Sequence, residues 1–306
     1  MKRDTDTAAL RVGFAGLGAI GAPMARRILD AGFALQVWNR DPAKSQALVD
    51  AGAQRAASPA ALARSVDLLC LCVTDGAAVE QLVFGDEGIA HGARAGLVVA
   101  DHSTIHPADA RRLAARFAAD CGGAWVDAPV SGGVAGARAG TLSVLAGGAA
   151  ADIERIRPVV LSFAAKLTHL GPAGSGQIAK ACNQMISFGT AAVLAEALNL
   201  AARSGLDVAR FPEAIEGGFA DSTVLRRCAP AMLSGELIGS TLIALKDMEI
   251  ALDLGRASLA PMPMIGLLTS LLRLLVSQGH TVGGLSTPIR LYADGPLTPT
   301  EQEPSP

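Results

Sequence analysis

Val12-Gly13-Phe14-Ala15-Gly16-Leu17-Gly18-Ala19-Ile20-Gly21 decides the fold. Val12 to Ala15 reads as a short strand. Three glycines at G-x-G-x-x-G spacing follow at once and open a helical stretch from about Ala19 to Ala31. Gly16 permits a tight turn, Gly18 has no side chain to obstruct a pyrophosphate, and Gly21 lets the helix pack close to the strand. The helix N-terminus offers unsatisfied N–H groups and the positive end of its dipole to phosphates. The three glycines alone are a weak signal. Between a strand and a helix they point to dinucleotide binding at Gly16, Leu17, Gly18, Ala19, Ile20 and Gly21.

The rest of the first half repeats the alternation. Strands are expected at Ala34 to Trp38, Leu68 to Val73, Leu97 to Ala100, Trp125 to Val126, Thr141 to Ala146 and Lys166 to Leu170. Helices are expected at Ala43 to Ala51 and Pro107 to Ala119. Alternating strand and helix means a parallel sheet covered on both faces, a Rossmann-type doubly wound α/β domain over residues 1–172. After Gly171 the strand signals stop. Gln177 to Arg203 is apolar at helical spacing and nearly all round, the mark of a helix buried in its own domain or against a second subunit. Helices at Val208 to Glu216, Ser222 to Leu233, Leu242 to Ala257 and Met262 to Gln278 make 173–293 an all-helical domain. The tail 294–306 holds four prolines and is expected to be disordered.

Composition narrows the function. Half of the 306 residues are apolar and the formal net charge is −2, so no nucleic-acid or membrane partner is expected. The longest apolar segments are interrupted by Arg, Asp, Lys or Gly, and no bilayer span is expected. Met1 to Arg11 is polar and does not read as a secretory signal; a cytoplasmic protein is expected. Five cysteines without C-x-x-C spacing argue against a disulfide framework or a zinc site, and the five histidines form no metal pattern.

Four further segments carry chemistry. At the end of the second strand, Asn39-Arg40-Asp41 with Lys44 stands where an NAD-binding chain usually places a carboxylate for the ribose 2′-hydroxyl. A guanidinium would grip a 2′-phosphate there, which favours NADP(H) and leaves NAD(H) possible. Equally, Arg40 and Lys44 suit a solvated helix start, with Asp41 capping before Pro42, and both readings can hold together. Val73, Thr74, Ser103 and Thr104 lie at strand C-terminal ends, where such sheets bind ligands; a Ser or Thr before Pro107 would also cap a helix. Ser131 with the backbone N–H groups of Gly132 and Gly133 suits a carboxylate or oxyanion, or is a plain glycine-rich loop. Lys180 stands among Ile, Ala, Cys and Met on the long helix, with Asn183 and Gln184 one turn on. Desolvation lowers a lysine's pKa and suits it to proton transfer, whereas a lysine with no such role would snorkel outward. Lys246-Asp247 alone reads as an ordinary surface pair.

Together, GLGAIGAPMA from Gly16, DHSTIHP from Asp101, DAPVSGGVAGARAG from Asp127, GSGQIAKACNQ from Gly174 and Lys246-Asp247 resemble the β-hydroxyacid dehydrogenase family. This family includes 3-hydroxyisobutyrate dehydrogenase, tartronate semialdehyde reductase and the glyoxylate/succinic semialdehyde reductases. The resemblance runs from about Val12 to Leu291. It implies Lys180 as the acid/base, flanked by the amides of Asn183 and Gln184, and Ser131, Gly132 and Gly133 as the holder of a substrate carboxylate. Lys246 and Asp247 would reach toward cofactor and substrate. Many relatives carry Asn at the position of Gln184, and Gly279-His280-Thr-Val-Gly283-Gly284 lacks the acidic residue the family often has there. A 6-phosphogluconate dehydrogenase-like C-terminal domain, a small carboxylate-bearing substrate and a homodimer or homotetramer are implied. An imine reductase would usually replace the lysine. A non-catalytic NADP-binding protein would have little reason to keep it.

Overall fold

A computed structural model of the chain describes residues 10–293 and Leu297. The chain divides into two compact units, Met1–Lys180 and Ala181–Pro306. The expected disordered tail lies outside the described residues, apart from Leu297.

The first unit opens β1 (Arg11–Ala15), α1 (Gly21–Asp30), β2 (Ala34–Trp38), α2 (Gln46–Asp50), β3 (Gln54–Arg55), α3 (Pro59–Ser65) and β4 (Leu68–Leu71). It continues with α4 (Gly76–Phe84), β5 (Val98–Asp101), α5 (Pro107–Cys121) and β6 (Ala124–Asp127). These six strands form one parallel sheet in the order β3-β2-β1-β4-β5-β6. The order reverses between β1 and β4, so the crevice beyond their C-terminal ends is the switch point where such sheets bind ligands. Alternate residues serve opposite faces. Val12, Phe14, Leu68 and Val98 pack with Met24 and Ile28 of α1; Ala15, Leu69, Leu71 and Val99 pack with Leu62, Val79, Leu113 and Phe117.

The next elements depart from expectation. β7 (Val130–Ser131), α6 (Gly133–Ala139), β8 (Leu142–Ala146), α7 (Ala150–Val160) and β9 (Ala164–His169) follow. The strands expected at Thr141 to Ala146 and Lys166 to Leu170 do not extend the large sheet. They form a second, three-stranded sheet, β7-β8-β9, with β8 antiparallel to β7 and parallel to β9. Strand periodicity marks an element but not its neighbour. The helix expected at Ala43 to Ala51 is a 3-10 turn, Pro42–Ser45, followed by the single turns of α2. The cap of α5 is His106, whose Nδ1 accepts from the Ala108 N–H at 3.1 Å, and not a Ser or Thr.

α8 (Ser175–Arg203) carries the chain from the first unit into the second. Contrary to expectation, it is long and apolar enough by length and composition to cross a membrane. Lys180, Asn183, Gln184 and Glu196 lie along it. The second unit adds α9 (Phe211–Ala214), α10 (Thr223–Ser234), α11 (Thr241–Ser258) and α12 (Pro263–Ser277). α9 is one turn where a longer helix was expected. Phe188, Met248 and Leu272 centre one apolar cluster of this unit, and Leu198, Leu225 and Met232 another.

Candidate active site

The glycine turn separates packing from opening. Gly16 adopts φ 93°, and a Cβ there would lie 2.3 Å from the Cys72 carbonyl oxygen. A Cβ on Gly21 would lie 2.0 Å from the Gly16 carbonyl oxygen. A Cβ on Gly18 would meet nothing within 4 Å. Two glycines are thus demanded by the protein itself, and the third faces open space. No side chain caps α1 at Ile20, so its first turn is available to a phosphate. These features fit a dinucleotide. Leu17, Ala19 and Ile20 complete the turn, and Gly18 and Ala19 border a groove of about 500 Å3 that Arg26, Arg27, Lys44 and Arg138 also line.

Asn39 has a structural task. Its Oδ1 accepts from the Leu17 N–H at 2.8 Å, and its Nδ2 donates to the Asp41 carbonyl at 2.9 Å. Its amide therefore braces the glycine turn against the loop after β2. Asp41 caps that loop by accepting from the Ala43 N–H at 3.0 Å. Arg40 and Lys44 are exposed beside it. The solvated start and the Asp41 cap of this segment are as expected.

Ser103 is buried and works as a junction. Its N–H donates to Asp101 Oδ1 at 2.9 Å, and its hydroxyl accepts from the Val73 N–H at 3.0 Å. This joins the loops that carry Val73–Thr74 and Ser103–Thr104. Thr74 turns its hydroxyl to Asp75, the cap of α4, at 3.0 Å. His102, also buried, holds the Ala128 carbonyl through Nδ1 at 2.8 Å, and burial pushes its pKa down to about 4. It is a neutral scaffold imidazole.

Ser131 ends β7, opposite Ser143 of β8. Gly132 and Gly133 adopt φ 131° and 64°, a left-handed reversal that favours glycine. The loop is built to hold Ser131 at the edge of the small sheet.

Lys180 lies one turn into α8, with only 7% of its surface exposed, so it does not snorkel outward. The start of this helix is anchored from within the first unit. Asp127, at the end of β6, accepts from the Gly174 N–H at 2.7 Å and the Gln177 N–H at 3.0 Å. Burial raises its pKa to about 6 against the lowering effect of those N–H groups. Gly176 permits the approach: a Cβ there would lie 2.5 Å from the Asp127 carbonyl oxygen. Gln177, 1% exposed, accepts from the Ile105 N–H at 3.1 Å and donates to the Ser103 carbonyl at 2.8 Å.

In the second unit four further candidates meet. Asn183 donates to Gln184 at 3.0 Å, and Gln184 donates to Asp247 Oδ2 at 2.7 Å. Lys246 Nζ stands 3.4 Å from Asp247 Oδ1, with Asp247 buried. Asp247 is thus a buried junction between α8 and α11, with the partly exposed Lys246 beside it, and the pair is not an ordinary surface pair.

Residues 11–171 match the family described as the NAD binding domain of 6-phosphogluconate dehydrogenase. Residues 174–292 match that described as the NAD-binding domain of NADP-dependent 3-hydroxyisobutyrate dehydrogenase. A 3-hydroxyisobutyrate dehydrogenase of Pseudomonas aeruginosa is 36% identical over 86% of this chain and 91% of its own. The chain belongs to the β-hydroxyacid dehydrogenase family. A 2-hydroxy-3-oxopropionate reductase of Escherichia coli is 34% identical over 83% of this chain and 87% of its own. The solved structure of Psf3 in complex with NADP+ and 2-OPP superposes with a TM-score of 0.84 at 28% identity, over 92% of this chain and 100% of that one.

As a β-hydroxyacid dehydrogenase, the chain is an NAD(P)-dependent hydroxyacid dehydrogenase with a Rossmann-type domain and a helical domain. Two residues that hold the start of α8 were passed over in the sequence. Asp127 and Gln177 both stood inside recognised motifs without a role. The available signal was a carboxylate and an amide within otherwise small or apolar segments, where a buried polar group needs partners.

Proposed function

We propose that this dehydrogenase reduces a small semialdehyde-type carboxylate with NADPH, or oxidises the corresponding β-hydroxy acid with NADP+, with Lys180 as general acid/base. The observation that carries the reading is Lys180 itself. It is a buried lysine on a helix whose first turn is locked to the end of β6. The cofactor, when bound, supplies or accepts the hydride. Lys180 then donates a proton to the alkoxide oxygen that forms, or takes it back in oxidation. Ser131 and the Gly132–Gly133 backbone hold the substrate carboxylate. Asn183 and Gln184 order the face beside the lysine, with Gln184 bonded to Asp247 of the Lys246-Asp247 pair.

Two observations support NADP(H) over NAD(H). Asn39 spends its amide on the glycine turn and brings no carboxylate to a ribose. Arg40 stands exposed next to it, able to pair with a 2′-phosphate. A similar structure holding NADP+ agrees. The test is a panel of short hydroxy acids and semialdehydes assayed with each cofactor. Turnover of an aldehyde acid with NADPH, at higher kcat/KM than with NADH, is expected. No turnover of any, with cofactor bound, would leave only a binding protein.

The same reading includes a homodimer or homotetramer. Ile186, Val193 and Leu200, seven residues apart on α8, are 71%, 58% and 67% exposed. Such a stripe favours association through this helix. Sedimentation at micromolar concentration should give at least twice the 31.0 kDa of one chain; a single-chain species would contradict it.

A further inference from the structure

One side chain ties the start of the helix that carries Lys180 to the loop after β5. Gln177 lies in the first turn of α8, three residues before Lys180, and is almost wholly buried. Its amide uses both ends. Oε1 accepts from the Ile105 N–H at 3.1 Å, and Nε2 donates to the Ser103 carbonyl at 2.8 Å. Ser103 in turn receives the Val73 N–H on its hydroxyl at 3.0 Å. Gln177 also gives its own N–H to Asp127, whose other carboxylate oxygen holds Gly174. The helix start is therefore fixed in two directions: to the end of β6 by a carboxylate, and to the loop after β5 by an amide.

A side chain needed only to fill space there would be apolar. Burying an amide is favourable only when its hydrogen bonds are made, and here both ends are. Its geometry links the Ser103 loop to the helical turn that carries Lys180. We propose that Gln177 is a positioning residue, acting through Lys180: it holds the lysine's helical turn at a fixed distance from the Val73 and Ser103 loops. The proposal rests on Lys180 being the acid/base. Proton transfer is steep in distance, and a misplacement of about 1 Å can cost on the order of 100-fold in rate.

The test is a double-mutant cycle on the full-length enzyme. Gln177→Met keeps the volume and removes both bonds. It should lower kcat roughly 10- to 100-fold, with KM for both substrates and the cofactor Kd changed less than about threefold. Gln177→Glu is expected to stay protonated in so buried a place. Its carbonyl oxygen then accepts from Ile105 and its hydroxyl donates to Ser103, so it should keep kcat within about threefold of wild type. It also provides a folded comparison if the Met variant is unstable. In a Lys180→Ala background, adding Gln177→Met should produce little further loss, because the group it positions is gone. A purely structural glutamine would lower Tm and leave kcat unchanged at temperatures well below it. Unchanged kcat in Gln177→Met, a Gln177→Glu enzyme as impaired as the Met variant, or a loss that multiplies with that of Lys180→Ala would each overturn the positioning role. If Lys180→Ala alone turns over like wild type, the acid/base reading itself has failed, and that arm records it separately.

Discussion

Two helices begin against strand ends of the large sheet, α1 after β1 and α8 on the Asp127 end of β6, and they begin in opposite ways. α1 follows the glycine turn with no side-chain cap, and Gly18 beside it faces open space. α8 begins with the Asp127 carboxylate already seated on its N–H groups. Both ends carry the positive pole of a helix and both suit an anion. One is left for an anion from outside. The other is filled by an anion of the chain itself, and its reward is order: the turn that follows carries Lys180. In the proposed function the open helix start serves binding and the closed one serves placement.

The comparison can be broken most sharply at Gly18. Gly18→Val should leave Tm close to wild type, because the first atom added meets nothing. It should weaken cofactor binding on the order of 100-fold, the loss of one or two charge-assisted hydrogen bonds at about 1.5–3 kcal/mol each. Gly21→Ala should do the reverse and lower Tm, since its Cβ would fall 2.0 Å from the Gly16 carbonyl oxygen. Calorimetry and cofactor titration of the two variants would separate the roles. Equal effects of both on Tm would remove the distinction.

A second break lies at Arg40. Arg40→Asp should lower kcat/KM for NADPH by about 10- to 100-fold and improve the use of NADH, as a carboxylate repels the 2′-phosphate. Tm should not move, because Arg40 is exposed. An unchanged cofactor ratio would contradict the assignment.

The smallest effect belongs to the closed helix start. Burial raises the Asp127 pKa to about 6, above the ordinary 3.8. The folded protein therefore binds this proton more tightly than the unfolded chain does. Stability from this group is present in full below about pH 4 and is lost as pH rises through about 6. Compared with Asp127→Asn, which does not titrate there, the wild-type Tm should gain roughly 2–4 °C as pH falls from 7 to 4.5. A Tm difference that is flat with pH would contradict the raised pKa.

The open helix start was legible in the sequence and the closed one was not, for a physical reason. The glycine turn is local: strand, three glycines and helix follow one another within Val12 to Gly21. Lys180 was legible too, as a cation in an apolar run. Asp127 meets its partners 47 and 50 residues along the chain, and Gln177 meets Ser103 across 74. No spacing rule reaches that far. The same limit explains the small sheet. The β8 pattern reads as a strand, but its pairing with the two-residue β7 depends on the left-handed turn at Gly132 and Gly133. Asn39 was half legible: its place at the end of β2 was clear, but its bond to Leu17 came only with the fold.

In the proposed mechanism the closed helix start places a proton donor at Lys180. Steady-state kinetics of Lys180→Ala, with cofactor affinity measured on the same preparation, tests it most directly. The expected result is a loss in kcat of roughly 10²–10⁴-fold, the range of general acid/base catalysis, with NADPH affinity nearly unchanged. Lys180→Arg should not recover it, because a guanidinium does not release a proton near neutrality. Near-wild-type turnover by Lys180→Ala would contradict the claim.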